Sequence, residues 1–338
     1  MKAVIGWDIG GVHLKAARAE DGRIVKAAQY AAPLRAGTEL LVGAFAQARN
    51  EFDGAERNIV TMTGELADIF SSRQEGVEHL AMLAARELGN VSIYAGPAGF
   101  VPAEAARDHS AAIASANWHA TATLIASKRD NAILIDLGST TTDIVPIAGG
   151  KVAARGYTDA QRLAAGELVY TGLVRGFVMA TADRAPRHGA WTPLINENFA
   201  NMADVHRILG TLPAGADLMA TADGREKTVP ASRTRLARMV GSDSADGDEA
   251  SWTLLARWLA EAQIRAIADA ASLVMSASSF SIAPPVIAAG IGTALIAEIA
   301  RRLGSGYAAF DGLLDVAPEL RAAVCQCAPA AALAALAS

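Results

Sequence analysis

Cysteine is nearly absent from this chain of 338 residues, which has only Cys325 and Cys327. Two thiols cannot build a disulfide framework and are too few for a zinc site. Basic excess is also lacking. The formal charge is −5 and the sequence pI is near 5.7, which argues against the basic face that nucleic-acid binding needs. No apolar run approaches ~18 residues without a charge or a breaker, so no membrane span is expected. The apolar stretch 323–337 is short, is interrupted by Pro329, and is expected to be a packed helix. Met1-Lys2-Ala3 leads directly into a strand, without the basic and apolar regions of a secretory leader, and the cytoplasm is the expected location. A Walker loop, H-E-x-x-H, G-x-S-x-G and C-x-x-C are all missing.

What remains is a well-cored, enzyme-sized protein: 52% hydrophobic, mean hydropathy +0.24, and long enough for two domains or one large α/β unit. Its most informative feature is a hairpin written twice. Asp8-Ile9-Gly10-Gly11 matches Asp136-Leu137-Gly138-Ser139 at an offset of 128 residues. The offset holds to the far end, where Gly22-Arg23-Ile24 lies over Gly150-Lys151-Val152. In each copy an apolar strand runs into a D-x-G-[GS] turn, a second strand and a glycine turn.

Strands are expected at 3–9, 12–19 and 23–30 around an Asp21-Gly22 turn. Helical periodicity follows at 38–50 and at 75–88, where Val77, Leu80, Ala81, Ala84 and Leu88 share a face. Short strands are expected at 59–63 and 91–95, and a helix over 111–128. After the second hairpin the pattern predicts helices at 162–180 and 202–209, separated by a loop at 183–193. The stretch 210–250, with Pro213, Gly215, Gly224 and Pro230, is expected to be an irregular surface excursion acting as a mobile flap. A helix over 252–278, a strand at 286–289, a helix at 293–303 and a last helix from Pro318 complete the chain. This order fits an α/β fold of two related lobes facing each other across a cleft.

The first turn has the parts of a phosphate site. Gly10 and Gly11 let backbone N–H groups approach an anion, and Asp8 at a strand end can hold a Mg²⁺ water. Lys15 and His13 point to one face of the following strand. The second turn adds hydroxyls from Ser139, Thr140 and Thr141 between Asp136 and Asp143. Position 15 is basic where its counterpart, position 143, is acidic, as expected if one side binds anion and the other binds metal or acts as a base. The plain alternatives are a glycine-turned hairpin and a self-capping Ser/Thr turn. Gly290-Ile291-Gly292 lacks the third glycine of a dinucleotide fingerprint and suits a turn against a flat group such as adenine, or a tight strand–helix turn. Glu65, after the strand at 59–63, could be a general base or simply an acid at a helix N-terminus.

The paired D-x-G hairpins and the late G-x-G unit together resemble the actin/Hsp70/sugar-kinase superfamily. That resemblance implies two ribonuclease-H-like lobes with a central cleft: lobe I from 1–128 plus 317–338, and lobe II from 129–316. It makes the hairpin turns the phosphate-1 and phosphate-2 loops and Gly290 and Gly292 an adenosine-type loop. The segments 61–68 (TMTGELAD), 136–143 (DLGSTTTD) and 198–210 (NFANMADVHRILG) resemble the hydantoinase/oxoprolinase A branch. Within that branch the chain is similar to proteins linked to tetrahydromethanopterin-dependent C1 transfer, and to the archaeal enzyme that joins a furan to a phenol.

The resemblance implies a transferase. An (aminomethyl)furanylmethyl diphosphate would lose diphosphate to the phenol oxygen of a tyrosine- or tyramine-type acceptor. Gly10, Gly11, Lys15, Gly138, Ser139, Thr140 and Thr141 would bind phosphate, Asp8 and Asp136 would hold Mg²⁺, and Glu65, Asp143 and Lys15 are the catalytic candidates. ATP is possible but not required. An ATP-dependent hydantoinase/oxoprolinase-like cyclic-amide hydrolase, a small-molecule kinase and a nucleotide-sensing interaction protein stay open. The oligomeric state is not indicated.

Overall fold

The computed structural model of the chain describes residues 3–52, 54, 57–278, 280 and 282–338. Met1 and Lys2, with which the sequence enters its first strand, lie outside the described residues. The first half is built from β1 (Ala3–Ile9), β2 (His13–Glu20), β3 (Arg23–Ala31), α1 (Thr38–Glu51), β4 (Arg57–Met62), α2 (Arg73–Leu88), β5 (Val91–Tyr94), β6 (Phe100–Pro102), α3 (Ser110–Ile113) and α4 (Asn117–Ala126). The repeat follows as β7 (Ala132–Leu137), β8 (Thr142–Ala148) and β9 (Lys151–Val152). After it come α5 (Asp159–Ala165), β10 (Leu168–Val169), α6 (Val178–Thr181), β11 (Arg184–Arg187), β12 (Ala190–Pro193), α7 (Met202–Leu209), α8 (Val229–Arg238) and α9 (Glu249–Ser276). The chain ends with β13 (Val286–Gly290), α10 (Thr293–Arg302), β14 (Tyr307–Ala309), β15 (Asp315–Val316), α11 (Arg321–Gln326) and α12 (Ala328–Leu336).

Two sheets carry the duplication. The first runs β15-β3-β2-β1-β4-β5-β6, and the second runs β8-β7-β13-β14 with β9 and β10 both paired to β8. In each, three consecutive antiparallel strands are followed by two parallel ones on the far side of the first strand. That is the ribonuclease-H-like order, present twice. The far turns of the two hairpins also agree: Asp21 and Gly22 have φ of 47° and 85°, and Gly149 and Gly150 have 58° and 68°. Positive φ at both central residues matches the right-handed twist of the strands they join.

A shared core lies between the sheets. It joins Ala17 and Ile24 of the first sheet to Leu134 and Val145 of the second through Trp118 and Ile125 of α4 and the alanines of α12. Alanine is needed there because α12 sits directly on β1: a Cβ on Gly6 would meet the Ala330 carbonyl oxygen at 2.0 Å. Phe45 and Leu80 cover the outer face of the first sheet, and Ile267 and Ile296 cover the outer face of the second. The chain rejoins the first sheet at β15, whose Asp315 and Val316 pair with Arg23 and Ile24. No single helix among the described residues is long and apolar enough to cross a membrane. The Pro318–Gln326 and Ala328–Leu336 segments pass that test only together, bent by 105°, and α12 is buried in the shared core.

Several elements differ from the periodicity. The helix expected over 111–128 is broken between α3 and α4, where Ser115 takes φ 54°. The helix expected over 162–180 ends at Gly166, which is left-handed, because Leu168 and Val169 pair with β8. The 183–193 loop is the hairpin β11–β12 around His188-Gly189, with Pro186 and Pro193 in a two-stranded ribbon that leaves edges free. The 210–250 segment is not a loose flap throughout. It holds α8, whose fully buried Arg235 binds Asp204 at 2.7 Å and Asp223 at 3.0 Å, anchoring it to α7. The C-terminal helix is two helices, parted at Cys327 before Pro329.

Candidate functional site

The two D-x-G turns are built alike. Asp8 faces Lys15 across β1–β2, and Asp136 faces Asp143 across β7–β8. The Gly10 N–H donates to the His13 carbonyl at 2.9 Å, and the Gly138 N–H donates to the Thr141 carbonyl at 2.9 Å. The next carbonyl of each turn is also engaged: Gly11 O accepts from Leu34 N–H at 3.0 Å, and Ser139 O from Arg175 N–H at 2.8 Å. The N–H groups of Gly11, Val12, Ser139 and Thr140, by contrast, have no backbone or side-chain acceptor among the described residues. Successive free amides in a turn are the groups that an anion-binding nest requires.

The turns converge. Lys15 Nζ lies 3.8 Å from Asp8 Oδ2, and Asp8, Lys15, Asp136 and Asp143 act on one another electrostatically. Burial pushes Asp8 above the ordinary carboxylate range, opposed by Lys15 and the Asn117 amide. Asp136 is pushed up to about 7, again mainly by burial, with Lys15 opposing and Asp143 and Asp8 adding. Burial alone would lower Lys15, but Asp8, Asp136 and Asp143 raise it. His13, on the same face as Lys15, is buried and driven down to about 4, so it is neutral at physiological pH.

Above this group lies a cavity of about 410 Å³, walled by Gly11, Thr140, Thr141 and Asp143 together with Arg35, Ser115, Trp118, Arg162, Tyr170 and Arg175. A volume of that order suits a small organic substrate. Arg162 is buried, stacks 4.1 Å over the Trp118 ring and holds Asp143 Oδ1 at 2.7 Å. Its other terminal nitrogen donates to the Glu167 carbonyl at 2.7 Å. Glu65 lies behind the wall. Its Oε1 accepts from Ser115 Oγ at 3.0 Å, its Oε2 is buried without a partner, and burial lifts it to about 7 against that hydrogen bond. Ser115 also lies 3.3 Å from Asp159 Oδ2, which Arg73 holds at 2.8 Å, so this strut links the halves of the molecule.

Of the residues singled out from the sequence, Gly11, Thr140, Thr141 and Asp143 face the cavity. Gly10, Gly138 and Ser139 shape the turns, and Ser139 Oγ is buried without a partner. Asp8, Lys15 and Asp136 form the charged group beneath, and Glu65 reaches the cavity only through Ser115. Gly290 and Gly292 are not among the residues lining the cavity; they pack on β7. Gly290 has φ 84°, and a Cβ there would meet the Leu137 carbonyl oxygen at 2.3 Å and Asp136 Oδ1 at 2.5 Å, so the close strand contact itself demands glycine. Arg35, Ser115, Arg162 and Arg175 escape sequence reasoning. Arg175 left one trace, as a lone charge in the apolar segment Leu173-Val174-Arg175-Gly176-Phe177-Val178.

A family model described as Hydantoinase/oxoprolinase matches residues 56–307. The chain belongs to the hydantoinase/oxoprolinase family. A protein of Methanocaldococcus jannaschii named (4-{4-[2-(gamma-L-glutamylamino)ethyl]phenoxymethyl}furan-2-yl)methanamine synthase is 32% identical over 242 residues, covering 71% of this chain and 72% of that protein. A Methanococcus vannielii protein of the same name is 34% identical over 113 residues, 33% of this chain and 50% of that protein. A ROK family glucokinase from Streptomyces griseus, solved with glucose and AMPPNP, aligns over 99% of this chain and 98% of its own at 18% identity and a TM-score of 0.47.

Proposed function

We propose that this hydantoinase/oxoprolinase family member is a diphosphate-releasing transferase of methanofuran- or methylofuran-type cofactor biosynthesis. It would condense an (aminomethyl)furanylmethyl diphosphate with the phenol oxygen of a tyrosine- or tyramine-type acceptor. The observation that carries the reading is the pair of nests with free amides, Gly11-Val12 and Ser139-Thr140, on the two sides of one group of carboxylates. The synthase named above supports it, since the words of its name describe a phenoxymethyl-furan, the ether such a condensation forms.

In this reaction the bond between the furfuryl methylene and the diphosphate oxygen breaks, and its electron pair leaves with the diphosphate. A lone pair of the phenol oxygen forms the new C–O bond. The chain's contribution is positioning and charge stabilisation. The turns at 10–12 and 138–141 hold the diphosphate, with Lys15 offsetting its growing charge. The phenolic proton, from a group with pKa ~10, would pass to Ser115 Oγ as Ser115 gives its own proton to Glu65. The alternative acceptor, Asp143, has one oxygen already committed to Arg162.

Mg²⁺ fits the residues present. Asp8 Oδ1 is buried with no partner among the described residues, the Asp8 charge helps to raise Asp136, and Mg²⁺ needs only one or two carboxylates beside phosphate oxygens and water. Bound there, it would neutralise charge on the departing diphosphate. Among the described residues no group of three or more His, Cys, Asp or Glu is arranged to hold a metal.

The test is a diphosphate-release assay with each substrate alone and with both. Mg²⁺-dependent release that needs furan diphosphate and phenol together, with formation of the ether, is the expected result. ADP formation from ATP in a protein that ignores both substrates would replace this reading with the ATP-dependent hydrolase or kinase.

A further inference from the structure

Three arginines line the cavity, and whereas Arg162 is paired with Asp143, Arg35 and Arg175 have no ion-pair partner among the described residues. Arg35 is exposed at the cavity edge. Arg175 is half-buried, and among the described residues its one side-chain hydrogen bond runs from Nη1 to Thr140 Oγ1 at 3.4 Å, inside the second turn. Burial and the Arg35 charge both push Arg175 down, so the guanidinium groups are close enough to repel.

Their placement repeats the symmetry of the turns. Gly11 and Ser139 are counterparts at the 128-residue offset. The Gly11 carbonyl is held by the N–H of Leu34, the residue before Arg35, and the Ser139 carbonyl by the N–H of Arg175 itself. Each nest therefore carries its own arginine, one on the strand–helix connection after β3 and the other on the segment between β10 and α6. Of the carboxylates lining the cavity, Asp143 is paired with Arg162 and Asp159 with Arg73, and neither Arg35 nor Arg175 has an ion pair with Asp68 among the described residues, so an anion that bridges the two guanidinium groups would relieve their repulsion. A guanidinium offers a planar fork suited to phosphate oxygens.

We propose that Arg35 and Arg175 form a clamp, one arm on each turn, that grips the terminal phosphoryl group of the diphosphate. The proposal rests on the cavity being a diphosphate site and adds the group that distinguishes a diphosphate from a single phosphate. A carboxylate on the phenolic acceptor is the other anion such a pair could take, and the experiment separates the two.

Calorimetric titration of the intact protein with Mg²⁺ and pyrophosphate, with orthophosphate, and with tyramine against its γ-glutamyl derivative is carried out on wild type, Arg35→Gln, Arg175→Gln and Arg175→Lys. Each Gln variant should lose about tenfold or more in pyrophosphate affinity, the loss expected for a charged hydrogen bond. Orthophosphate and both amines should change little, and Arg175→Lys should fall between. Unchanged thermal midpoints identify the effect as local. Undetectable pyrophosphate binding by wild type, or variants that bind pyrophosphate normally, overturns the clamp. Loss confined to the γ-glutamyl amine overturns it in favour of the acceptor carboxylate. The transferase reading fails separately: arginine-dependent pyrophosphate binding in a protein that makes no ether keeps the clamp and removes the reaction. Ether formation indifferent to both arginines does the reverse.

Discussion

Replacing Glu65 by Gln should change how stability depends on pH, by an amount that follows from burial. Glu65 is 1% exposed, and burial lifts its carboxyl from 4.5 to about 7. A carboxyl whose folded-state pKa is raised stabilises the fold fully below its unfolded value, and that contribution is lost as pH rises through the folded one. The interval from 4.5 to about 7, at about 1.4 kcal/mol per pH unit, corresponds to about 3 kcal/mol. Gln cannot ionise, so Glu65→Gln should gain about 3 kcal/mol relative to wild type between pH 4.5 and 8, most of it below pH 7. Urea unfolding of both proteins at pH 5, 6, 7 and 8 measures this. Asp136, also raised to about 7, is present in both and cancels from the difference. A difference that stays constant across this range would show that Glu65 is not held as a raised carboxyl, and would remove it as a base operating near neutrality.

Asp8→Asn and Asp136→Asn should each weaken Mg²⁺-pyrophosphate binding about tenfold or more, measured by calorimetry. Lys26→Ala, on β3, whose ammonium contacts Glu51 and Phe52 at the end of α1, should leave that binding unchanged. Arg162→Ala should cost about 3–5 kcal/mol in urea unfolding, because it strands Asp143 beside the cavity and takes away the Trp118 stack. Gly6→Ala should cost about 1–3 kcal/mol, since the new methyl overlaps the Ala330 carbonyl and must push α12 off β1.

The duplicated hairpin could be read from the sequence because its parts are local: a strand, an acid, a glycine turn, and a second glycine turn at a fixed distance. The helices at 38–50, 75–88 and 202–209 were equally visible, and α7 starts and ends where Asn201 caps it and Gly210 turns left-handed. The segments that misled are those in which tertiary contacts override a helical pattern. The stretch after Arg162 is rich in helix formers, yet Leu168 and Val169 are drawn into pairing with β8. In 210–250, turn residues at the start hide α8, which is held by the buried ion pairs of Arg235 together with the short apolar contact of Leu236 and Ala237. The same physics hid half of the site. Ser115, Arg162 and Arg175 have no meaningful spacing from the turns in sequence, and only the packing of the two sheets around α4 and α12 brings them to one cavity. Glu65 was visible as an acid after a strand, but the serine between it and the cavity was not.

A crystal of the protein grown with Mn²⁺ in place of Mg²⁺ and with diphosphate would show whether the two turns share one metal-bound diphosphate, because anomalous scattering locates the metal. The metal is expected beside Asp8 and Asp136, with the diphosphate bridging the amides of Gly11-Val12 and Ser139-Thr140. Metal and diphosphate at any place outside the gap between these two turns would contradict it.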